Sequence, residues 1–217
     1  MYEQLSFGIC MFNDPSVLRL LDSLPGEAKK IIIDGKFALN PSKQELSDRG
    51  LREGILSYEN VILLDYPNLS EPEKRQKYLD NNPCKYLIII DSDEFIISAD
   101  WDKFYNKIQE LEDGIHHIMF KVDDNDGATS YPRLWVNPQD WKYVKCHNIF
   151  KNDKLGLILK SGFSDGITIS ENLIFCGMDD TLRSSQYIKD TYDYQVLMMK
   201  YEKPLREKYR KGDMSEF

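Results

Sequence analysis

The chain has 217 residues, 41% hydrophobic and 12% aromatic, which is enough for one substantial core but cramped for two independent domains. With 28 Lys and Arg against 36 Asp and Glu the formal charge is -8, an acidic balance that repels phosphate backbones and argues against a general nucleic-acid binder. Cys10, Cys84, Cys146 and Cys176 are scattered without a CxxC pair, which argues against a zinc knuckle and for reduced thiols.

The opening MYEQLSFGICMF lacks the basic start and long apolar stretch of a signal peptide. No apolar run approaches the ~20 residues of a spanning helix, so a soluble, cytoplasmic protein is expected. Leu5 to Met11 reads as a buried strand. Asp14 as N-cap with Pro15 at the first helical position then opens a helix, with Val17, Leu20, Leu21 and Leu24 at helical spacing and Pro25-Gly26 as its stop. Ile31 to Ile33 is a second apolar run, ending at Asp34-Gly35. A short helix is expected after Ser47, with Leu51 and Ile55 on one face.

Val61 to Leu64 is the third strand. Ser70 and Glu73 fit a capping box with Pro72 in the first turn, so a helix carries Lys74, Arg75 and Tyr78 until Asn81-Asn82-Pro83 breaks it. The most apolar strand, Tyr86 to Ile90, runs into Asp91-Ser92-Asp93-Glu94. Apolar runs separated by helices mark strands buried on both faces, hence a mainly parallel central sheet flanked by helices, an α/β fold. Trp101, Phe104, Ile108 and Leu111 form a further helical stripe closed by Gly114. Beyond about residue 115 the rhythm turns β-rich: His117 to Val122, Arg133 to Val136, Tyr143 to Phe150, Leu155 to Leu159 and Ile167 to Phe175 all look extended. Thr181 to Lys211 reads as a C-terminal helical tail.

YLIIIDSDEF is the most informative segment. Residues two apart in a strand point the same way, so Asp91 and Asp93 are expected to project together where the apolar run ends. In open α/β sheets that carboxyl edge is where ligands bind. Two neighbouring carboxylates repel unless a cation sits between them. A hard ion, Mg²⁺ or Mn²⁺, relieves the repulsion and keeps positions open for diphosphate oxygens. The plain alternative is a solvated acidic turn, disfavoured by the five apolar residues just before it. Glu94 is expected to point to the other side and to orient a ligand or a loop.

The order of these parts resembles glycosyltransferases of the GT-A fold, particularly the family-2-like group. FGICMFNDP, IIIDGKF, EKRQKYL and YLIIIDSDEF stand in turn where that group has its opening βα unit, the acidic residue after its second strand, a basic residue on the helix before the fourth strand, and its DxD motif. The resemblance covers roughly the first half of the chain. It implies one GT-A-like domain over 1–180, with 1–97 as the nucleotide-sugar half and 98–180 as the acceptor side, and a tail over 181–217. It also implies a UDP- or GDP-sugar type of donor, with Asp91 and Asp93 at the metal and diphosphate.

Other candidates line the same edge. By resemblance Asp34 faces the nucleotide base; a simple β-turn aspartate is the alternative. Asn13 ends the first strand and would line the same cleft, although helix capping explains it as well. Arg75 would contact a phosphate or hold an acidic ligand residue, against the alternative of a solvent-facing helical arginine. Inverting transferases need a carboxylate to take the acceptor proton, and GMDDTLR loosely resembles the relatives' acidic pair, which favours Asp180 as the base. The sequence departs from the family at Gly177, where some relatives carry a metal-binding His, and at Asn148, where they carry a Glu after the His that His147 matches. His116 and His117 read as structural. The acceptor is open: a saccharide, a lipid-linked group or a protein. The tail would pack on its own domain by default, or cover the acceptor cleft, join a homo-oligomer or touch an anionic membrane surface.

Three rival readings fit parts of the sequence. A phosphatase of the haloacid dehalogenase type also uses a DxD after an apolar strand, but near its start. A nucleotidyltransferase usually has a Gly-rich loop after the first strand, which NDPSVL does not supply. A non-catalytic nucleotide- or carbohydrate-binding module fits the missing His and Glu.

Overall fold

The structure is a computed structural model and describes residues 2–122, 128–144, 146–153, 156–159, 168–178, 185–213 and 215. Strands β1 (Leu5–Met11), β2 (Lys29–Asp34), β3 (Val61–Asp65) and β4 (Tyr86–Ile89) alternate with helices α1 (Ser16–Ser23), α2 (Arg49–Leu56) and α3 (Glu71–Asp80). The strands run parallel in the order β3-β2-β1-β4. This is the βαβ half that the apolar runs predict, and β1 has the predicted bounds. The capping box also forms: Ser70 N donates to Glu73 Oε2 at 2.8 Å. Helix α1 begins one residue later than expected, at Ser16, whose N–H donates to Asp14 Oδ1 at 3.1 Å.

The second half adds β5 (Glu94–Ala99), α4 (Trp101–Ile108), β6 (Gly114–Val122), β7 (Ala128–Val136), β8 (Trp141–Val144), β9 (Cys146–Asn152), β10 (Gly156–Leu159), β11 (Thr168–Met178) and α5 (Ser185–Arg210). The main sheet continues from β4 as β7-β6-β11-β5, and β10-β9-β8 form a separate small sheet. β7 is antiparallel to β4 and β6, β11 is parallel to β6, and β5 is antiparallel to β11. The sheet is therefore mixed, with a parallel core flanked by helices. No helix among the described residues is long and apolar enough to cross a membrane.

One expectation changes. The strand expected over Tyr86 to Ile90, with its alternation carried on to Asp91 and Asp93, stops at Ile89, and the chain turns at Asp91–Asp93, where Glu94 N donates to Asp91 O at 3.1 Å. β5 then leaves for the far edge of the sheet beside β11. The four residues of β4 are all buried, so their ladder and packing are satisfied, while the acidic residues that follow are stabilised by solvent and by arginines.

Alternate residues of the parallel strands fill opposite cores. Leu5, Phe7, Ile9 and Met11 of β1 join Ile88 and α1 on one face; Ile31, Ile33, Leu87 and Ile89 join Tyr78, Trp135, Trp141 and Phe150 on the other. On that second face α3 lies close to β1. A Cβ on Gly8 would stand 2.9 Å from Cγ of the fully buried Tyr78 ring. Gly8→Ala is therefore expected to lower unfolding free energy by about 1–3 kcal/mol, because ring and strand must part. Urea titration checks this, and an unchanged midpoint would mean that α3 is not pressed on β1 there.

Candidate active site at the carboxyl edge of the sheet

Each site segment emerges from the carboxyl end of a parallel strand, and two local devices fix the first of them. Asn13, just after β1, has φ 48°, a left-handed conformation that Asn tolerates better than most residues. Its N–H donates to Ser47 Oγ and its Oδ1 accepts from Asp48 N, both at 2.7 Å. Asp14 is fully buried, and its Oδ2 accepts from Ser92 Oγ at 2.6 Å. The loop after β1 is thus tied to the segment entering α2 and to the acidic turn after β4.

Asp34 ends β2 and is fully buried. It accepts from Ser47 Oγ at 2.5 Å, from Ser47 N and from Arg52 Nη1, and Arg52 Nη2 donates to Asp65 Oδ1 at 2.7 Å. It is therefore neither a plain turn aspartate nor an open acceptor at the edge. Its carboxylate holds α2 and the preceding loop against the sheet.

Arg75 points inward, unlike the solvent-facing helical arginine of the alternative reading; its side chain is only 15% exposed. Nε donates to Glu71 Oε1 at 2.8 Å, and Nη2 donates to Asp91 Oδ1 at 3.0 Å. Nη1 lies 3.4 Å from Tyr78 Oη, which is itself 3.1 Å from Tyr143 Oη on β8. Gln76 secures the same strand, accepting from Tyr143 N at 2.8 Å. Burial, then the facing Tyr143, raises the Tyr78 pKa, so the phenol stays protonated beside the guanidinium.

On the other flank of the turn, Arg133 of β7 grips Glu94 through both terminal nitrogens, with Nη2 to Oε1 at 2.7 Å. Glu94 Oε2 accepts in turn from Asp91 N at 2.9 Å. Burial and the neighbouring Asp91 raise the Glu94 pKa, against the pull of Arg133. Glu94 therefore orients the loop, as its expected role allowed, and the turn sits between two guanidinium groups.

The structure brings together Arg75 and Asp91 directly, and Asn13 and Asp34 through Ser47. Asp93 lies on the same short turn as Asp91. Asp180 lies outside the described residues, as do Asp179 and the segment between them and α5. Sequence reading passed over Ser47 and Arg52 as site residues, and Lys74 as anything but a helical position. Arg133 stood there only as the first residue of an extended run. Ser47-Asp48 before a helix is a capping signal legible in the sequence; a buried lysine leaves no such trace, because charged residues are mostly exposed.

No protein-family model matches the chain, and no curated protein matches it. Among solved structures, the chain is similar to S. aureus TarS 1-349 in complex with UDP, with TM-score 0.53 and 14% identity, covering 90% of this chain and 64% of that one. S. aureus TarS 1-349 matches at TM-score 0.45 and 18% identity over 57% of this chain and 37% of that one. Its complex with UDP-GlcNAc matches at TM-score 0.43 and 18% identity over 57% and 36%. The chain spans less than two thirds of each of these structures, and the UDP complex shares its fold.

Proposed function

We propose that this chain is a glycosyltransferase of the GT-A, family-2-like kind, moving a sugar from a UDP- or GDP-sugar to an acceptor hydroxyl, with inversion. The observation that carries this reading is the Arg75–Asp91 pair at the end of β4, where a buried guanidinium and a half-exposed carboxylate face the edge that receives ligands in parallel sheets. The fold shared with the UDP complex of TarS supports it.

We assign a Mn²⁺ or Mg²⁺ ion to Asp91 and Asp93. Magnesium in such sites is held by one or two carboxylates and keeps water and phosphate oxygens in its remaining positions. Asp91 fits that mode as a single carboxylate open to water, its side chain 50% exposed. When bound, the ion would neutralise charge developing on the nucleoside diphosphate as it leaves. The chain's own part is to hold Asp91 through Arg75, to offer that guanidinium to a phosphate, and to line the nucleotide cleft with the Asn13 loop. In this reading Asp180 takes the acceptor proton, and the acceptor is a saccharide, a lipid-linked group or a protein.

Thermal unfolding with UDP or GDP, with and without Mn²⁺, tests the proposal. A nucleotide present at a hundred times its Kd should stabilise the fold by about 2.7 kcal/mol, or roughly 5–10 °C for a chain of this size. The shift should shrink without the ion and in Asp91→Asn. No shift with any nucleoside diphosphate sinks the reading, whereas binding without transfer or hydrolysis leaves a non-catalytic module.

A further inference from the structure

Lys74 lies one residue before Arg75 on α3, faces β1 and β2, and is fully buried. Its ammonium donates to Met11 O at 3.0 Å and to Gly35 O, and it sits 4.1 Å from the centre of the Phe37 ring. Met11 is the last residue of β1, two before Asn13, and Gly35 follows Asp34 directly. Gly35 has φ +128°, and a Cβ there would stand 2.7 Å from Pro67 Cα, so this turn calls for glycine. Phe37 in turn bridges to Leu69, just ahead of α3. One side chain therefore ties together the turns that leave β1 and β2 and the approach to α3.

A neutral donor would satisfy carbonyls at a lower desolvation cost than an ammonium. The charge therefore needs a reason of its own, and its neighbour Arg75 faces the place where an anionic ligand would arrive. We propose that Lys74 is a positioning residue of the donor site: its ammonium holds the turns after β1 and β2 at the spacing a nucleotide requires, and its charge adds to that of Arg75. This rests on the nucleotide-sugar reading above.

The titratable and charged groups around it are Cys10 on β1, Asp34 on β2 with its partner Arg52 on α2, and Glu71 and Arg75 on α3. Burial lowers the Lys74 pKa from 10.5 to about 8, opposed by Cys10, Asp34 and Glu71. Burial pushes the Cys10 thiol up to about 11, so it stays neutral while Lys74 titrates. The ammonium is thus lost as pH rises through about 8.

Calorimetric titration of the full chain with UDP and Mg²⁺ from pH 6.5 to 9.5, in wild type and Lys74→Met, tests the proposal. If only the charged form binds well, wild-type affinity should fall about tenfold between pH 7 and pH 9. Lys74→Met should bind more weakly at pH 7, and the ratio of the two affinities should approach one at high pH; the ligand's own ionisation cancels in that ratio. A ratio constant with pH overturns the proposal. If Lys74→Met does not fold, Phe37→Leu replaces it: losing the aromatic face should move the midpoint to lower pH, and an unmoved midpoint counts against the idea. Absence of UDP binding at every pH overturns the nucleotide reading and this role together. The buried ammonium is then judged alone: the unfolded lysine keeps a proton that the folded one sheds between pH about 8 and 10.5, so the stability of wild type relative to Lys74→Met should rise with pH across that window. A flat difference refutes the burial itself.

Discussion

Exchanging Arg75 for methionine is expected to weaken UDP binding about a hundredfold while moving the unfolding midpoint little. The guanidinium is buried against Tyr78, yet its acidic partners retain access to water, with Glu71 and Asp91 side chains 20% and 50% exposed. Removing it strands neither carboxylate in an apolar site, and Tyr78 keeps its contact with Tyr143. Folding therefore loses only modest, partly screened interactions. Binding loses more, because the largely buried cation is already held by Glu71 and Asp91 and needs little further ordering to meet a phosphate. Arg75→Lys should recover only part of the affinity, since a single ammonium cannot meet Glu71, Asp91 and a phosphate in one planar arrangement. Calorimetry with UDP and Mn²⁺ measures both variants. A loss below threefold in Arg75→Met would remove Arg75 from the donor site.

The reverse balance is expected at Asp34. Asp34→Asn should cost about 2–4 kcal/mol of unfolding free energy, near the lower end of what breaking a buried ion pair costs, because Arg52 keeps Asp65 and some solvent. The amide would present an N–H either to the Ser47 donors or to Arg52, where the carboxylate accepts from both. Adding Arg52→Met to Asp34→Asn should restore part of the loss, since the second change removes the charge stranded by the first. Urea titrations of the single and double variants measure this, with the midpoint moving and the slope held. A single-variant loss under about 0.5 kcal/mol would show that Asp34 does not anchor α2. Asp34 and Arg75 both come from a pattern of acidic and basic residues along one edge, yet the first is sealed into a clamp and the second is paired with the half-exposed Asp91.

That contrast marks how far the candidate site was legible. Asp34 ends β2, Asn13 follows β1 and Asp91 follows β4 with Asp93 on the same turn, since the position at the close of an apolar run follows from the run itself, while Arg75 lies on α3. Their occupations were not legible. Asp34 is closed by Ser47 and Arg52, 13 and 18 positions away. Arg75 finds Asp91 across 16 positions, and Glu94 finds Arg133 across 39. Strand alternation does not aim Asp91 and Asp93 together, because β4 ends at Ile89 and the acidic residues form a turn. The two residues share that turn.

The sequence alone determined the elements of the first half and their faces. β1, β2 and β4 are short apolar runs that gain by being covered on both sides, and Ser70 with Glu73 starts α3 through contacts within one helical turn. These choices are local, so a window of a few residues contains their cause. The tertiary structure alone decided that β5 crosses to the far edge beside β11, that Tyr78 needs Gly8 beneath it, and that Lys74 gives up water for two carbonyls and an aromatic face. Each depends on groups brought together from distant parts of the chain. The balance between desolvation and a well-placed partner is set only once they meet, and no local period records it.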